Sequence, residues 1–424
     1  MRKTLLALAA LLASSSALAD TLLTNANGIQ VDASGKLERF TGILIGDDGK
    51  VKRVLRGEML KLSDTNVVDA RGRTVLPGLI DAHGHVMALG FNALQLDLSG
   101  TRSLAELQQR LKDYAAANPN ARWILGRGWN QEHWSDKRFP TAADIDAVVS
   151  DRPVWLGRVD GHAAIANSAA MQAAGFSLNT QAPAGGRIEN GLFVDAAMSL
   201  IESKIPAPTA AEQDAALAKA QELMLANGLT AAADMGTTPD EWAAMNRAGA
   251  AGRLSARILS YAGGIPSMRV LNRGKPSDRL YGDRLHLVGV KLYADGALGS
   301  RGAYLKAPYH DHPDTRGLSL ISEAELYKQS LEAATNGFHV AIHAIGDAAN
   351  AQAIANFEKL GAYCQADCRW RIEHVQIIDP ADIPRLKPIG AIASMQPVHQ
   401  TSDRLMAEAR LDPTRLKGAY AWQT

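Results

Sequence analysis

The sequence predicts an α/β chain built on a parallel barrel, and three observations carry that prediction. From about residue 209, short apolar runs alternate with helical spacers, so 229–234, 256–261, 288–293, 339–343, 371–375 and 391–395 read as strands. An earlier apolar pair, Leu79-Ile80, follows the turn at Pro77-Gly78 and leads into His83 and His85, giving a seventh strand. The spacers also carry helix-start signals, Thr209 with Glu212 and Ser322 with Glu325, and they stop at Asn227-Gly228 and near Gly337. Such βα alternation closes strands into a (β/α)8 TIM-like barrel, here expected to lack its last strand before Thr424.

Residues 1–19 read as an export signal. Arg2-Lys3 form a basic start, residues 4–13 an apolar core too short to span a bilayer, and Ala17-Leu18-Ala19 a small-residue cleavage site. Cleavage after Ala19 would place the mature chain in the periplasm or outside the cell. It would also remove two cations, leaving 43 basic against 44 acidic residues, a net charge of −1. A balance so near zero points to neither nucleic acid nor a membrane surface. No later stretch is long and apolar enough to be a membrane span. Cys364 and Cys368, four apart and without a second pair, suit a loop disulfide in an oxidising compartment better than a metal site.

Residues 20–75 read as a small β domain, the N-terminal part of a composite sandwich. Strands at 21–23, 43–45, 51–55 and 67–70 are separated by turns at Asn27-Gly28, Ser34-Gly35 and 47–50. The barrel then occupies 76–424. Within it, about 90–205 reads as an insertion: Leu104, Leu107, Leu111 and Tyr114 fall at helical spacing, and 123–125 and 154–156 read as buried strands. Its aromatic and Gly-rich loops form a wall or lid.

In a parallel barrel the reactive side chains sit at the C-terminal ends of the strands. His83 and His85 end the first strand, two apart, so that they can project together. Lys291 lies in the fourth strand, and His343 and His374 end the fifth and sixth. An isolated histidine is more often a satisfied core residue, but four converging histidines point to metal. Lys291 adds to this, because an ammonium inside an apolar strand is costly unless paired or modified, and a carbamylated lysine is an oxygen ligand able to bridge two cations.

With these stretches in view the chain resembles the amidohydrolase superfamily. Within it the likeness is to amidohydrolase family 3, the YtcJ-like group that includes N-substituted formamide deformylase. The matching segments are 76–85, 126–130, 158–162, 289–301, 341–347, 371–376 and 394–399. The resemblance implies a binuclear site with zinc as the expected metal. His83 and His85 would hold one ion, His343 and His374 the other, and carbamylated Lys291 would bridge them. It implies a metal-dependent hydrolase of carbon–nitrogen bonds other than peptide bonds, cleaving N-acyl or N-formyl amines with a metal-activated hydroxide. The expected substrate is a small molecule, and a homodimer is compatible with the reading. Trp129, Asn130, His162 and Arg301 are the expected substrate-binding residues, with Asp160, Asp295, Gly299 and Ser300 nearby. Asp347 and His399 are expected to support ligands from behind. No catalytic residue is assignable, because the aspartate that the family places at the end of strand eight is expected beyond Thr424. The alternative expectation is a truncated, inactive amidohydrolase-like chain that keeps partial metal binding.

Overall fold

Seven apolar segments with strand-like patterning line up in chain order as one parallel sheet. They are β1 (Leu79–Gly84), β2 (Leu229–Thr237), β3 (Arg257–Gly263), β4 (Leu285–Tyr293), β5 (His339–Ala344), β6 (Arg371–His374) and β7 (Ile392–Ser394). The sheet curls into a nearly closed TIM-like barrel, with β1 and β7 as its two edge strands. Apolar side chains are exposed on both edges, Ile80 at 68% and Ile392 at 43%. The computed structural model describes residues 19–422 apart from 59, 61, 160, 162, 178–179, 184–185, 196 and 365–366. The expected export signal (all but Ala19), Asp160 and His162 therefore lie outside the described residues.

The chain divides into two compact units, residues 1–79 and 80–424. In the first, Thr21–Thr24, Gly42–Ile45, Val51–Leu55 and Asn66–Asp69 form a four-stranded sheet, and Asn27–Val31, Leu37–Phe40 and Thr74–Val75 a three-stranded one. The turn expected at Asn27-Gly28 is instead the start of a strand. Glycine is there because the Phe40 ring lies over it: a Cβ at Gly28 would sit 2.2 Å from that ring. Ser34-Gly35 is a true turn, with Gly35 at φ +84° and the Asp32 carboxylate accepting from the amides of Ser34 and Lys36.

In the second unit the barrel wall is built by burial on both faces. Leu287, Val290, Ile342 and Ile372 pack outward against Phe357 and Ala353 of the helix Asp347–Leu360. Ala233, Met235, Tyr261 and Ala341 form a smaller second cluster. Gly289 is required there, since a Cβ would lie 2.4 Å from the Tyr261 ring. Thr209 and Glu212 form a reciprocal capping box on the helix Ala210–Ala226, and Ser322 caps Glu323–Thr335 without the reciprocal bond.

Between β1 and β2 the chain builds a separate six-stranded sheet from segments within 96–195. Its helix Leu104–Ala117 starts at Ser103, which accepts from the Glu106 amide, and buries Leu107 and Leu111 completely. Among the described residues no helix is long and apolar enough to cross a membrane. Cys364 and Cys368 are joined as a disulfide. Replacing Leu111 with alanine should destabilise the chain by about 2–5 kcal/mol in denaturant unfolding, as for a fully buried leucine in a close-packed core. A loss below ~0.5 kcal/mol would show that this layer is not packed as described.

Candidate metal centre

Strand register brings the sequence-predicted ligands to one end of the barrel. Lys291 pairs in register with Ala341, Tyr293 with His343, and Ala344 with His374. The histidine rings then form a chain: centroids are 5.5 Å apart for His83 and His85, 4.6 Å for His83 and His374, and 4.6 Å for His374 and His343. His399 stacks on the far side of His374 at 5.5 Å.

Two of the rings are aimed by a side-chain neighbour. His83 Nδ1 lies 2.6 Å from Glu373 Oε2, and His374 Nδ1 lies 2.9 Å from Gln396 Oε1. In both cases Nε2 is left to face another partner. The backbone turns left-handed at His374 (φ 78°) and Val375 (φ 43°). Non-glycine residues adopt that conformation at a cost of about 1–3 kcal/mol each, a strain that persists where it aims a side chain. His85 stands just past β1 as the residue before the helix Val86–Leu94, and its own side chain makes no cap. Asp234 supplies one instead, its Oδ1 accepting from the Val86 amide at 2.7 Å. Asp295 does the same beyond His343, accepting from the amides of Ile345 (3.0 Å), Gly346 (2.8 Å) and Tyr304 (2.9 Å).

Burial sets the charges. It lowers the pKa of His343 to about 4 and of His374 to about 2, with Lys291 and the other histidines adding to the shift, and it also lowers that of His85. These rings are neutral near pH 7, as nitrogen ligands must be. Burial raises Asp234 to about 6 and Asp295 to about 7, against the hydrogen bonds that favour their ionised forms. For Glu373 burial also pushes upward, but the bonds from His83 and Arg371 outweigh it and bring the carboxyl down to about 2. Lys291, 1% exposed, is lowered to about 8 by burial. Its ammonium lies over the Tyr293 ring at 5.2 Å and has no hydrogen bond or ion pair among the described residues.

The residues fit a divalent metal. His343 Nε2 is buried without a hydrogen-bond partner, 3.5 Å from Asp295 Oδ1. Two further rings have one nitrogen committed and one free, the arrangement that orients metal-ligating imidazoles. Among the described residues no three histidine, cysteine or carboxylate groups already surround one point. The rings form one chain whose shortest contacts run through His374, so the histidines alone do not enclose an ion, and a modified Lys291 would supply a further ligand.

The expected substrate residues fare differently. Trp129 is wholly buried, its indole Nε1 donating to Leu156 O, and packs in the core of the six-stranded sheet. Asn130 is half-buried, its Oδ1 accepting from the Glu132 amide and from Arg158 Nη2. Arg301 turns its guanidinium to both oxygens of Asp311, through Nε at 3.3 Å and Nη2 at 2.8 Å. Asp347 Oδ1 accepts from the amides of Lys306 and Ala348 and so steadies that loop. Ser300 donates to Ala297 O, and Gly299 packs on Met406. The residues of the motif that do face a cavity are Arg127 and Gly128, which line a polar pocket of about 270 Å3 with Asp97 and Ser99. A larger cleft of about 510 Å3, walled by Phe91, Tyr114 and Trp123, contains none of the clustered histidines. Glu373, Asp234, Gln396 and Arg371 escaped the sequence reading. Glu373 carried a signal there, a carboxylate within a strand and next to a candidate ligand, His374.

Comparison with known proteins gives the family. Residues 66–424 match the pattern of the amidohydrolase family. The chain belongs to that family. It is 32% identical to the putative amidohydrolase YtcJ of Bacillus subtilis, over 89% of this chain and 73% of that protein. It is 28% identical to the N-substituted formamide deformylase of Arthrobacter pascens, over 88% of this chain and 71% of that one. A solved structure, an uncharacterized metal-dependent hydrolase from Pyrococcus horikoshii OT3, superposes with a TM-score of 0.80 at 28% identity, covering 95% of this chain and 79% of that one. Family membership makes the chain a hydrolase of the YtcJ-like group.

One consequence concerns pH. Folding lowers the Lys291 pKa from 10.5 to about 8, so between those values the unfolded chain binds the extra proton. Stability of the metal-free chain should therefore rise from pH 8 to 10, by ~2–3 kcal/mol, in urea unfolding at fixed ionic strength. Lys291→Met should be flat over the same window. An equal rise in that variant would place the titration elsewhere.

Proposed function

We propose that this hydrolase cleaves amide-type C–N bonds of N-formyl or N-acyl amines at a pair of divalent ions, with zinc the first candidate. The observation that carries the reading is Lys291: buried, without an ion pair or hydrogen bond among the described residues, and close enough to lower the pKa of His85, His343 and His374. An ammonium in that position costs several kcal/mol, which the Tyr293 ring and the charge of Glu373 offset only in part.

The proposed use is carbamylation. The ammonium first gives up a proton; the neutral amine then attacks CO2, the N–C bond forms as one C–O π bond opens onto oxygen, and a second proton leaves nitrogen, so a buried cation becomes an anion among three neutral imidazoles. A low lysine pKa raises the share of neutral amine that this step consumes. His83 and His85 would hold one ion and His343 and His374 the other, with the Lys291 carbamate between them. Bound there, the ions would polarise a substrate carbonyl and bring the pKa of water near neutrality. Glu373 and Gln396 keep Nδ1 of His83 and His374 occupied, so Nε2 is the ligating atom in both. The formamide preference rests on the deformylase relative alone. The reading also includes a periplasmic or secreted location, argued from residues 1–19, and a small-molecule substrate.

The test is metal analysis joined to a substrate panel of N-formyl amines, N-acyl amines, esters and lactams. The reading expects about two zinc ions per chain and release of amine from the formyl or acyl members. Lys291→Ala should lower metal content and cut turnover by more than about a hundredfold. Metal uptake with no turnover on any substrate would favour the inactive alternative, and no metal uptake would defeat both.

A further inference from the structure

We propose that Arg371 is a positioning residue that joins the two edge strands of the barrel to the metal centre and holds His83 in place through Glu373. The inference rests on the reading of His83 as a metal ligand and adds a residue that the reading does not contain.

Arg371 starts β6, with its side chain only 12% exposed. Its Nε donates to Glu373 Oε1 at 2.6 Å and its Nη2 to Glu373 Oε2 at 3.1 Å, a two-pronged hold on one carboxylate. The same Nη2 lies 2.6 Å from the Ala82 carbonyl on β1 and 2.6 Å from Ser394 Oγ on β7. The guanidinium lies over the Tyr261 ring of β3, with 5.6 Å between its central carbon and the ring centroid. One side chain therefore touches β1, β3, β6 and β7.

Its contacts with β1 converge on a single residue. Ala82 immediately precedes His83, so Arg371 fixes the backbone there, while Glu373 Oε2, oriented by Arg371, meets His83 Nδ1 at 2.6 Å. His83 is thus held from two directions by one ion pair. β1 is an edge strand, with a sheet neighbour on one side only, and such a strand is the place where a ligand is least well held by pairing. A planar fork suits this position. Lysine carries the charge but cannot address a carboxylate in two places while reaching two further oxygens. A purely structural ion pair would have no reason to govern which His83 nitrogen carries the proton.

The experiment uses the full chain with Arg371→Met, Arg371→Lys, Glu373→Gln and the double variant Arg371→Met/Glu373→Gln. Zinc affinity is measured by chelator competition, and the His83 tautomer is read from imidazole 15N shifts in the metal-free protein. Wild type should show His83 predominantly protonated at Nδ1. In Arg371→Met the ring should populate both tautomers, and zinc should bind about tenfold or more weakly. Arg371→Lys keeps the buried carboxylate paired and should fall between the two. In the Glu373→Gln background, adding Arg371→Met should cost little more, because the route to His83 is already cut. The proposal is overturned if Arg371→Met leaves zinc affinity within twofold and the tautomer unchanged, or if the two losses simply add. If wild type takes up no zinc, the metal reading fails, and the tautomer comparison still decides whether Arg371 governs His83.

Discussion

A lysine ammonium sealed inside a parallel barrel is the constraint that the rest of this structure answers. Lys291 is 1% exposed, and its pKa is brought down to about 8 by burial. Nothing in the packing requires a lysine there, since its buried neighbours along β4 are Leu, Val and Gly. Removing such a charge from water costs several kcal/mol, more than most single substitutions. The surrounding residues are arranged around that cost: neutral histidines just past β1 and at the ends of β5 and β6, and the ionised carboxylate of Glu373.

Three buried carboxylates divide the work of positioning. Glu373 takes a histidine side chain, whereas Asp234 and Asp295 take the backbone just after a histidine, at Val86 and at Ile345-Gly346. Each sits on or just beyond a strand other than the one it steadies. The loops that leave the strands are thereby tied to rigid neighbours, which is how a strand end becomes precise enough to hold a ligand. The left-handed backbone at His374 and Val375 belongs to the same scheme, a local strain that tertiary contacts keep in place.

Much of this was legible in the sequence, and the failures have physical causes. All seven barrel strands were marked by apolar runs, and two of the intervening helices by the capping signals Thr209 with Glu212 and Ser322 with Glu325. The five candidate ligands stood out because His and Lys are unusual at the ends of such runs. The substrate residues were less legible. Trp129 and Arg301 sit in motifs, but a motif does not say which way a side chain points, and one is core while the other is committed to Asp311. Gly28 looked like a turn because glycine following asparagine usually is one, and only the Phe40 ring above it shows why it is in a strand. Asp234 and Arg371 could not be found by pattern at all, because their partners lie 148 and 289 residues away along the chain.

The central claim is that the two histidine pairs and Lys291 form one binuclear centre. The most direct measurement is a crystal structure of the zinc-loaded chain with anomalous scattering recorded at the zinc edge. The account predicts two anomalous peaks, one between His83 and His85 and one between His343 and His374, with density for a carbamate extending from Lys291 Nζ toward both. Zinc bound away from these residues, or an unmodified Lys291 beside a single ion, would contradict it.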